Sequence, residues 1–474
     1  MTDYDICDHG AVGDGTTNDA RAIQAAIDAC HAAGGGRVVV PAGSTYLTGS
    51  IELRSHVELH VERGAVLQGS GDPAHYTARL EVGALSAGVV NPDNDVALML
   101  ITARDCEDVA ITGAGTIDGA GRYFVEEDLG HIYRCPNQRP FTVFLIGVRR
   151  LVVRDVLLRD AALWCLRLSG CEDVLVHGVT IDTDLKYPNA DGIDLDRCRR
   201  VRISDCDISS GDDAISLKTC EELAGYGPTE DVVITNCTLR STSSAVVVGV
   251  DAVEDIRNVV VSNCVIRSSH RGLAVNLGQE GSFENILFTD CIVETRHFQR
   301  AWWGHGEPIY VNVGAWHDTV GRLRNVRFRN ILARSENGAY LAADAPGLAQ
   351  GIVLDDVRIE LDRWSSWPGG EYDRRPTSEG AEVYAHDTAG IYLDTLGDVT
   401  LRDCEVVWAG HDDAYAHAVE AVDVDGLVVE GLRGTAARDG LDAVAVRRRG
   451  ADEDRYGPDV AELARAADVV GGPR

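Results

Sequence analysis

The sequence has 474 residues and a formal net charge of −31 at pH 7, because 75 Asp and Glu outnumber 44 Lys and Arg. A chain this acidic repels nucleic acid and anionic membrane surfaces, so neither is expected as a partner. The first residues lack a basic stretch followed by an apolar core, and no apolar run of about 18 residues occurs. We therefore expect a cytoplasmic protein without an export signal, whose oligomeric state the sequence leaves open.

A helix is predicted between Asp19 and Ala33, where Ala and Ile recur with helical spacing. Asn18 and Asp19 are candidates for its N-cap. We expect this helix to cover the open end of the repeat that follows, because exposed strand edges invite aggregation.

A short motif recurs along most of the rest of the chain. A typical copy begins with charged or amide residues, continues with aliphatic residues at alternate positions, and ends at Asn, Asp or Gly. Copies occupy 107–113, 172–178, 199–205, 230–236, 257–263, 284–290, 324–330 and 397–403. Alternation at period two predicts short strands with one buried face, and steps of 27 or 31 residues between central copies predict the coils of a solenoid.

This pattern predicts an all-β fold, a single-domain parallel β-helix over residues 1–435 that includes the N-terminal helix as a cap. Residues 436–474 are predicted to form a C-terminal cap or a loose tail. The steps from Ile286 to Val326 and from Ile352 to Val399 are too long for one coil. We expect long protruding loops in both places.

Five of the 13 cysteines occupy one position of the repeat, directly after its closing Asn or Asp. They are Cys206, Cys237, Cys264, Cys291 and Cys404. A residue that recurs at one coil position stacks on its copies in the core, where a free thiol packs as a small apolar group. No CxxC pair or zinc-like His/Cys spacing occurs. We therefore expect free thiols in a reducing compartment, with no metal and no cofactor.

Three aspartates lie about one coil apart, in Asn-Ala-Asp-Gly-Ile-Asp at 189–194 and Gly-Asp-Asp-Ala-Ile at 211–215. Aligning the coils by their apolar alternation places Asp191 beside Asp213, about 4.8 Å away, with Asp212 at the preceding corner. Clustered carboxyls cannot all ionise freely, which supplies an acid and a base at one pH. Hydrolysis of a glycosidic bond needs that pair of roles, so the three are predicted to be catalytic.

From Tyr4 to Val429 the sequence resembles the polygalacturonase family, glycoside hydrolase family 28. The resemblance is carried by segments 8–19, 35–43, Arg-Pro at 139–140, the Trp164 coil, 189–194 and Ser-Gly-Asp-Asp-Ala-Ile-Ser-Leu-Lys at 210–218. It implies a right-handed parallel β-helix that hydrolyses glycosidic bonds with inversion. Carried over by position, Asp212 would be the general acid, and Asp191 with Asp213 would hold the attacking water.

The chain departs from the family's pattern at two cationic positions. The family's Gly-His-Gly falls on Ser243-Ser244-Ala245, and its Arg-Ile-Lys, which grips a galacturonate carboxylate, falls on Ala274-Val275-Asn276. The later Gly304-His305-Gly306 lies in a loop and is a different element. A galacturonate site needs opposing positive charge, so plain polygalacturonan is a doubtful substrate.

Arg271 is a candidate replacement for the lost cations. By register it shares a column with Ser244, Asp213 and Asp191, and with His270 beside it we predict that it orients a substrate carboxylate or hydroxyl. The long loops add aromatic and ionisable residues that can pack on sugar faces and select hydroxyls. The other predicted substrate-binding residues are Ser244, Asp251, Lys218, Asn276, Trp303, His305 and Glu307.

The sequence thus predicts a metal-independent glycosidase that cleaves oligosaccharides from a pectin-like or related polysaccharide. Two alternatives remain open. One is a Ca²⁺-dependent lyase on a β-helix like that of pectate lyase, which would use the Asp cluster for the ion and Arg271 as a base. The other is a carbohydrate-binding β-helix protein that has lost activity, in keeping with the missing cationic residues.

Overall fold

The computed structural model describes residues 2–81, 96–136, 138–300, 302–377 and 382–449. They divide into two compact units. Unit 1 contains the residues up to 215 together with 220–237, and unit 2 contains 216–219 and the described residues from 238 on. Within this part of the chain no helix is long and apolar enough to span a membrane.

Unit 1 consists of right-handed parallel β-helix coils with up to three strands each, and each strand pairs in parallel with its counterpart in the next coil. The first strands are β1 (Asp3–Asp5), β3 (Gly36–Val40), β6 (Val57–Val61), β10 (Glu107–Thr112), β15 (Arg149–Arg154), β18 (Glu172–His177), β21 (Arg199–Ser204) and β24 (Thr229–Thr235). The second strands are β2 (Asp14–Asn18), β4 (Thr45–Thr48), β7 (Val66–Gly69), β11 (Thr116–Asp118), β16 (Leu157–Arg159), β19 (Thr180–Asp182) and β22 (Asp207–Ser210). The third strands are β5 (Ile51–Glu52), β9 (Val96–Arg104), β14 (Pro140–Ile146), β17 (Leu166–Ser169) and β20 (Ile193–Asp196).

Shorter elements decorate the coils of unit 1. Strand β8 (Arg79–Glu81) pairs antiparallel with β9, and β12 (Glu127–Asp128) forms a hairpin with β13 (Tyr133–Arg134). Four single-turn or two-turn 3₁₀ helices lie at Ile6–His9, Pro73–His75, Gly121–Phe124 and Glu221–Tyr226.

Unit 2 repeats the same three-strand plan. Its first and second strands are β25 (Thr238–Ser241), β27 (Ile256–Ser262), β28 (Val265–Ser269), the long β30 (Phe283–Thr295), β32 (Leu323–Ser335) and β34 (Ala349–Leu361), then β38 (Gly397–Arg402), β39 (Glu405–Trp408) and β41 (Val428–Glu430). The third strands are β26 (Ser244–Ala252), β29 (Arg271–Leu277), β31 (Ile309–Val313), β33 (Ala339–Ala343), β37 (Ile391–Asp394), β40 (Val419–Val422) and β42 (Val444–Arg447), with a hairpin of β35 (Glu371–Asp373) and β36 (Val383–Ala385). Strand β23 (Ile215–Thr219) contributes residues to both units.

The fold class predicted from the repeat is confirmed, and so is its register. Val174 pairs with Val201 and Val201 with Val232, as the steps between motif copies predict. The two long steps contain loops, since residues 296–308 separate β30 from β31 and the β35–β36 hairpin interrupts the segment between β34 and β37. The predicted boundary at residue 435 stays a prediction, although β42 continues the third-strand column beyond it; residues 450–474 lie outside the described part.

The N-terminal helix α1 (Ala20–Ala32) buries Ile23, Ala26, Ile27 and Cys30. Its N-terminus differs in detail from the prediction. Asp19 makes no side-chain capping bond there; its carboxylate instead accepts the backbone N–H groups of Val12 and Gly13. Asn18 accepts the N–H of Ala20 and so satisfies one free donor at the start of the helix.

All 13 cysteines are free, and the five of the repeat position are buried. Their thiols lie 3.2–3.5 Å from the carbonyl oxygen two residues earlier, as in Cys206 to Ser204 and Cys404 to Arg402. The register sets Cys206 beside Cys237 and Cys264 beside Cys291, as the repeat predicts. Cys404 instead follows Ile331 and Val357 in its column and does not stack on the other four.

Asn residues at the start of the motif bend the chain near the starts of strands β27, β30 and β32. Asn258, Asn285 and Asn325 all have a left-handed backbone, with φ between 53° and 59°. Asn and Asp tolerate this conformation better than other non-glycine residues. Their amides also stack, because Asn285 Nδ2 donates to Asn258 Oδ1 at 3.1 Å and Asn325 Nδ2 donates to Asn285 Oδ1 at 2.7 Å.

Replacing Asn285 by Val should lower the free energy of unfolding by about 2–3 kcal/mol, since a β-branched residue opposes the left-handed backbone and the stacked amides are lost. Asn285→Gly keeps the backbone free and loses only the hydrogen bonds, so a loss of about 1 kcal/mol is expected. Urea unfolding of both variants measures the difference. Equal losses for Val and Gly would show that backbone conformation is not the cause.

Candidate active site

Two hydrogen bonds fix the register of the predicted catalytic aspartates in unit 1. Gly192 donates its N–H to the carbonyl of Asp213 at 2.8 Å, and Ile193 donates to Ala214 at 2.9 Å. In a parallel ladder these bonds place Asp191 opposite Asp213. One carboxylate oxygen from each of Asp191, Asp212 and Asp213 lies within 4.8 Å of the others. The structure therefore brings together the three acids that the sequence predicts.

Glycines make this close approach possible. A Cβ on Gly192 would lie 2.4 Å from the carbonyl oxygen of Ala214. A Cβ on Gly211 would lie 2.4 Å from the carbonyl oxygen of Tyr187. Any side chain at either position would push the corners apart, which explains why both acidic segments contain glycine.

Asp212 is held at its corner by the backbone. Its Oδ2 accepts the N–H of Asn189 at 3.2 Å, and its Oδ1 accepts the N–H of Asp213 at 2.9 Å. The hydroxyl of Ser210 donates to the Asp212 carbonyl at 2.6 Å. Asn189 can aim its N–H at this carboxylate because its backbone is left-handed, with φ 55°. Asp191 and Asp213 are only 3% and 8% exposed, whereas Asp212 is half-buried.

Arg139 orders the same corner, a role that the repeat pattern did not reveal. Its Nη1 donates to the carbonyls of Ala162 at 3.0 Å and Pro188 at 2.8 Å, and its Nη2 lies 3.5 Å from Asn189 Oδ1. The side chain is 8% exposed. Arg139 thus ties the residues just before Asp191 to the preceding coil, and its only signal in the sequence is the Arg-Pro step at the start of β14.

Two acidic groups among the described residues have the spacing of a cation site. One is the three aspartates. The other is Asp196, Cys220 and Glu222, but Arg167 already donates to Asp196 at 3.0 Å and to Glu222 at 2.5 Å. A buried guanidinium in contact with both carboxylates opposes a metal ion there, so only the aspartates could hold one.

The remaining predicted residues lie in unit 2, on and around its third strands. Ser244 pairs opposite Arg271 across β26 and β29, as the column predicted, and Asn276 pairs opposite Asn312 across β29 and β31. Lys218 Nζ and Asp251 Oδ2 are 3.7 Å apart, with both side chains less than a tenth exposed. The substrate contacts predicted for these residues stay predictions.

Arg271 is enclosed by two loops. Its Nη2 donates to the Asp373 carbonyl at 2.9 Å and its Nη1 to the Arg375 carbonyl at 3.2 Å. The guanidinium also lies 3.8 Å from the centroid of the Tyr310 ring, and Nε is 3.9 Å from Glu307 Oε2. Arg271 therefore links its strand to the 371–376 segment and the 300–308 loop, a contact that sequence register could not anticipate.

Three histidines stack beside Arg271. The ring centroids of His270 and His297 are 5.3 Å apart, those of His297 and His305 are 4.5 Å apart, and Trp367 lies 5.5 Å from His297. Burial lowers the pKa of His305 to about 4 and also lowers the pKa values of His270 and His297. The stack is therefore neutral at pH 7, and its rings can exchange hydrogen bonds without adding charge.

Two carboxyls complete the cluster with opposite behaviour. Burial raises the pKa of Glu307 to about 7, even though Arg271 lies beside it. Burial by itself would also raise the pKa of Asp373. The guanidinium of Arg375, which donates a hydrogen bond to this carboxylate, instead holds the pKa of Asp373 below its usual range. Trp303 in the same loop as Glu307 is half-buried, whereas His305 and Glu307 are buried.

Comparison with known proteins places this geometry in a family. The model of the family described as "Glycosyl hydrolases family 28" matches residues 30–362. A probable polygalacturonase of Vitis vinifera is 34% identical over 253 residues, 51% of this chain and 50% of the relative. An exo-poly-alpha-D-galacturonosidase of Dickeya chrysanthemi is 27% identical over 293 residues, 52% and 47% of the two chains. The chain thus spans about half the length of these curated relatives.

A solved structure shares the fold over nearly the whole chain. The hyperthermoactive exopolygalacturonase from Thermotoga maritima superposes with a TM-score of 0.55 at 21% identity, covering 91% of this chain and 92% of its own. At that identity the similarity concerns the fold.

Glu307 should make stability depend on pH. With its pKa raised to about 7, the folded state keeps a proton that the unfolded chain releases near pH 4.5, so stability falls as pH rises from 4.5 to 7. Glu307→Gln removes this titration. Between pH 5 and pH 8 the free energy of unfolding of the unmutated protein should fall by on the order of 2 kcal/mol more than that of Glu307→Gln. Denaturant unfolding at both pH values measures this. Glu284→Gln on the exposed face of β30 is the control; a pH dependence unchanged by Glu307→Gln would contradict the assignment.

Proposed function

The chain belongs to glycosyl hydrolase family 28, and from this membership we propose that it hydrolyses glycosidic bonds in pectin-derived or related oligosaccharides. The observation that carries the proposal is the approach of Asp191, Asp212 and Asp213 to within 4.8 Å at one corner of the coils. Carboxyl groups this close together can divide the roles of proton donor and base between them. Cleavage of an acetal by hydrolysis uses one carboxyl group as general acid and another as general base.

Asp212 is assigned as the general acid that protonates the leaving oxygen. Asp191 and Asp213, side by side on successive coils, are assigned to hold and deprotonate a water molecule that attacks the anomeric carbon from the opposite face. The transition state has oxocarbenium character, so the remaining carboxylate charge also stabilises it. This assignment gives inversion, and NMR of the first product anomer tests it.

The substrate class is inferred from the family and from the predicted substrate-binding residues of unit 2. The named relatives act on galacturonan by their descriptions, which supports a pectic chain. Ser244 and Asn276 stand where the family has cationic elements, and Arg271 is occupied by two loop carbonyls and lies near Glu307. A substrate that places a neutral sugar, rather than a galacturonate carboxylate, against these positions fits best.

A Ca²⁺-dependent lyase is the second candidate, because the three aspartates have the spacing of a cation site. A lyase would lose activity on chelation and release an unsaturated product that absorbs in the ultraviolet. A hydrolase would keep its activity and give a product without that absorbance.

Asp212→Asn should lower kcat by about 10²–10⁴-fold with little change in KM, because the proton donor is lost while the binding surface is kept. Initial rates on a panel of pectic and neutral oligosaccharides measure this. Asp207→Asn, an exposed change in the preceding strand, is the matched control and should leave kcat unchanged. Unchanged turnover by Asp212→Asn would reject the acid assignment, and no turnover by the unmutated protein on any glycan would favour a binding protein.

Arg139→Met should lower kcat by roughly 10-fold or more, because the segment before Asp191 loses its anchor and small displacements of reacting groups are costly. Arg139→Lys should recover only part of the loss, since the lysine nitrogen ends one bond short of the Nη1 atom that binds both carbonyls and has no second group to reach Asn189. Methylguanidinium added to a small-residue variant, Arg139→Ala, should restore part of kcat. If kcat is unchanged in Arg139→Met, Arg139 does not position the acids.

A further inference from the structure

Unit 1 carries a groove with a volume of about 420 Å³ that the catalytic acids do not use. It is lined by His60, Arg63, Thr112, Gly113, Ala114, Arg154, Asp155 and Gly178. These residues lie at the ends of the first strands β6, β10, β15 and β18 and in the turns that follow. The aspartates lie at a different corner of the coil, between the second and third strands.

The charge in the groove is opposite to that of the chain. Arg63 and Arg154 line it with one carboxylate, that of Asp155, while Glu58 Oε1 lies 3.6 Å from Nδ1 of the lining His60. Among the described residues Arg63 makes no side-chain hydrogen bond or ion pair. Arg154 approaches only Asp155, at 3.8 Å, and both side chains are more than half exposed. In a protein of net charge −31, two such guanidinium groups form a local site for an anion.

His60 has a defined hydrogen-bonding state. Its Nδ1 lies 2.8 Å from the hydroxyl oxygen of Thr112, and that hydroxyl donates its one hydrogen to Glu58 at 2.5 Å. The histidine must therefore donate from Nδ1, which leaves Nε2 as an acceptor in the neutral ring. A sugar hydroxyl is a donor that suits this atom.

Two glycines and an alanine line part of the groove. Gly113 is buried with φ +107°, and a Cβ there would lie 2.1 Å from the carbonyl oxygen of Val61. Gly178 has φ +62°, and a Cβ there would lie 3.0 Å from Asp155 Oδ1. Ala114 contributes only a methyl group. The floor of the groove is thus backbone and small side chains, and a ligand can approach it closely.

The two arginines are spaced along the direction in which the coils stack. Arg63 follows β6 and Arg154 ends β15, and β10 lies between these strands. Two strand spacings correspond to about 10 Å. A linear saccharide lying across the coils can bring one carboxylate to each guanidinium, and arginine binds a carboxylate through two parallel hydrogen bonds.

We propose that this groove is a second saccharide-binding site, which takes the carboxylates of uronate units in an acidic polysaccharide. The proposal rests on the proposed function for the class of polymer. It assigns recognition of the acidic units to Arg63 and Arg154, at a corner of the coil other than that of the aspartates.

Affinity electrophoresis tests the proposal, with polygalacturonate cast in one native gel and a neutral galactan in another. The Asp212→Asn background keeps the polymer intact during the run. Arg63→Gln with Arg154→Gln should weaken retardation by polygalacturonate roughly 10-fold or more at low salt, because two charge-assisted contacts are lost. The effect should shrink as added salt screens the charges. Added inorganic phosphate should not abolish the retardation if the site recognises the saccharide as well as its charge.

Arg329→Gln with Arg433→Gln removes the same charge from side chains that are 69% and 67% exposed outside the groove, and should leave retardation unchanged. Equal retardation of the groove variant and the unmutated protein would overturn the proposal. So would an equal loss in the control pair, or displacement by phosphate alone. Turnover of a short oligosaccharide by the groove variant, without Asp212→Asn, should stay within about twofold. Because turnover reports the catalytic assignment and retardation reports the groove, either can fail without the other.

Discussion

Each coil must return its strands to the register of the coil before it, and the rest of the molecule depends on this constraint. A slip of one residue would turn every buried Val and Ile outward, so the apolar alternation fixes the register strongly. Left-handed Asp and Asn residues such as Asn258 and Asn285 supply the bends that make the return possible. The same register places Asp191 opposite Asp213, so the geometry of the acids is a consequence of how the core packs.

Two kinds of polar cluster are built on this scaffold. At the acidic corner, the Asp212 carboxylate accepts two backbone N–H groups, and Arg139 ties the neighbouring segment to the preceding coil through carbonyl contacts. In unit 2, Arg271, Glu307 and Asp373 are buried together with neutral histidines, and cation and carboxylate compensate each other. The first arrangement fixes the position of the Asp212 carboxylate, whereas the second fastens loops to strands.

The sequence predicted what the repeat controls. Strand phase, coil register, the stacked cysteines and the pairing of Asp191 with Asp213 all follow from period-two alternation and a fixed step. The surroundings of Arg271 were not predictable, because Asp373 and Arg375 reach it from about 100 positions away through a loop without a repeat. Arg139 was missed for a similar reason: a buried arginine that binds carbonyls has the same sequence appearance as the many exposed ones. The hydrogen bonds from the backbone N–H groups of Val12 and Gly13 to the Asp19 carboxylate were likewise not predictable, because they depend on a local loop rather than on helix signals.

The loops at 296–308 and around the β35–β36 hairpin enter and leave the coils at strand ends, while Ile286 still pairs with Val326 and Ile352 with Val399. Insertions of this kind leave the hydrogen-bonded ladder intact on either side. Relatives of this chain can therefore diverge in loop length and sequence without disturbing the acids. Exchanging such loops between relatives should therefore leave the register that pairs Asp191 with Asp213 unchanged.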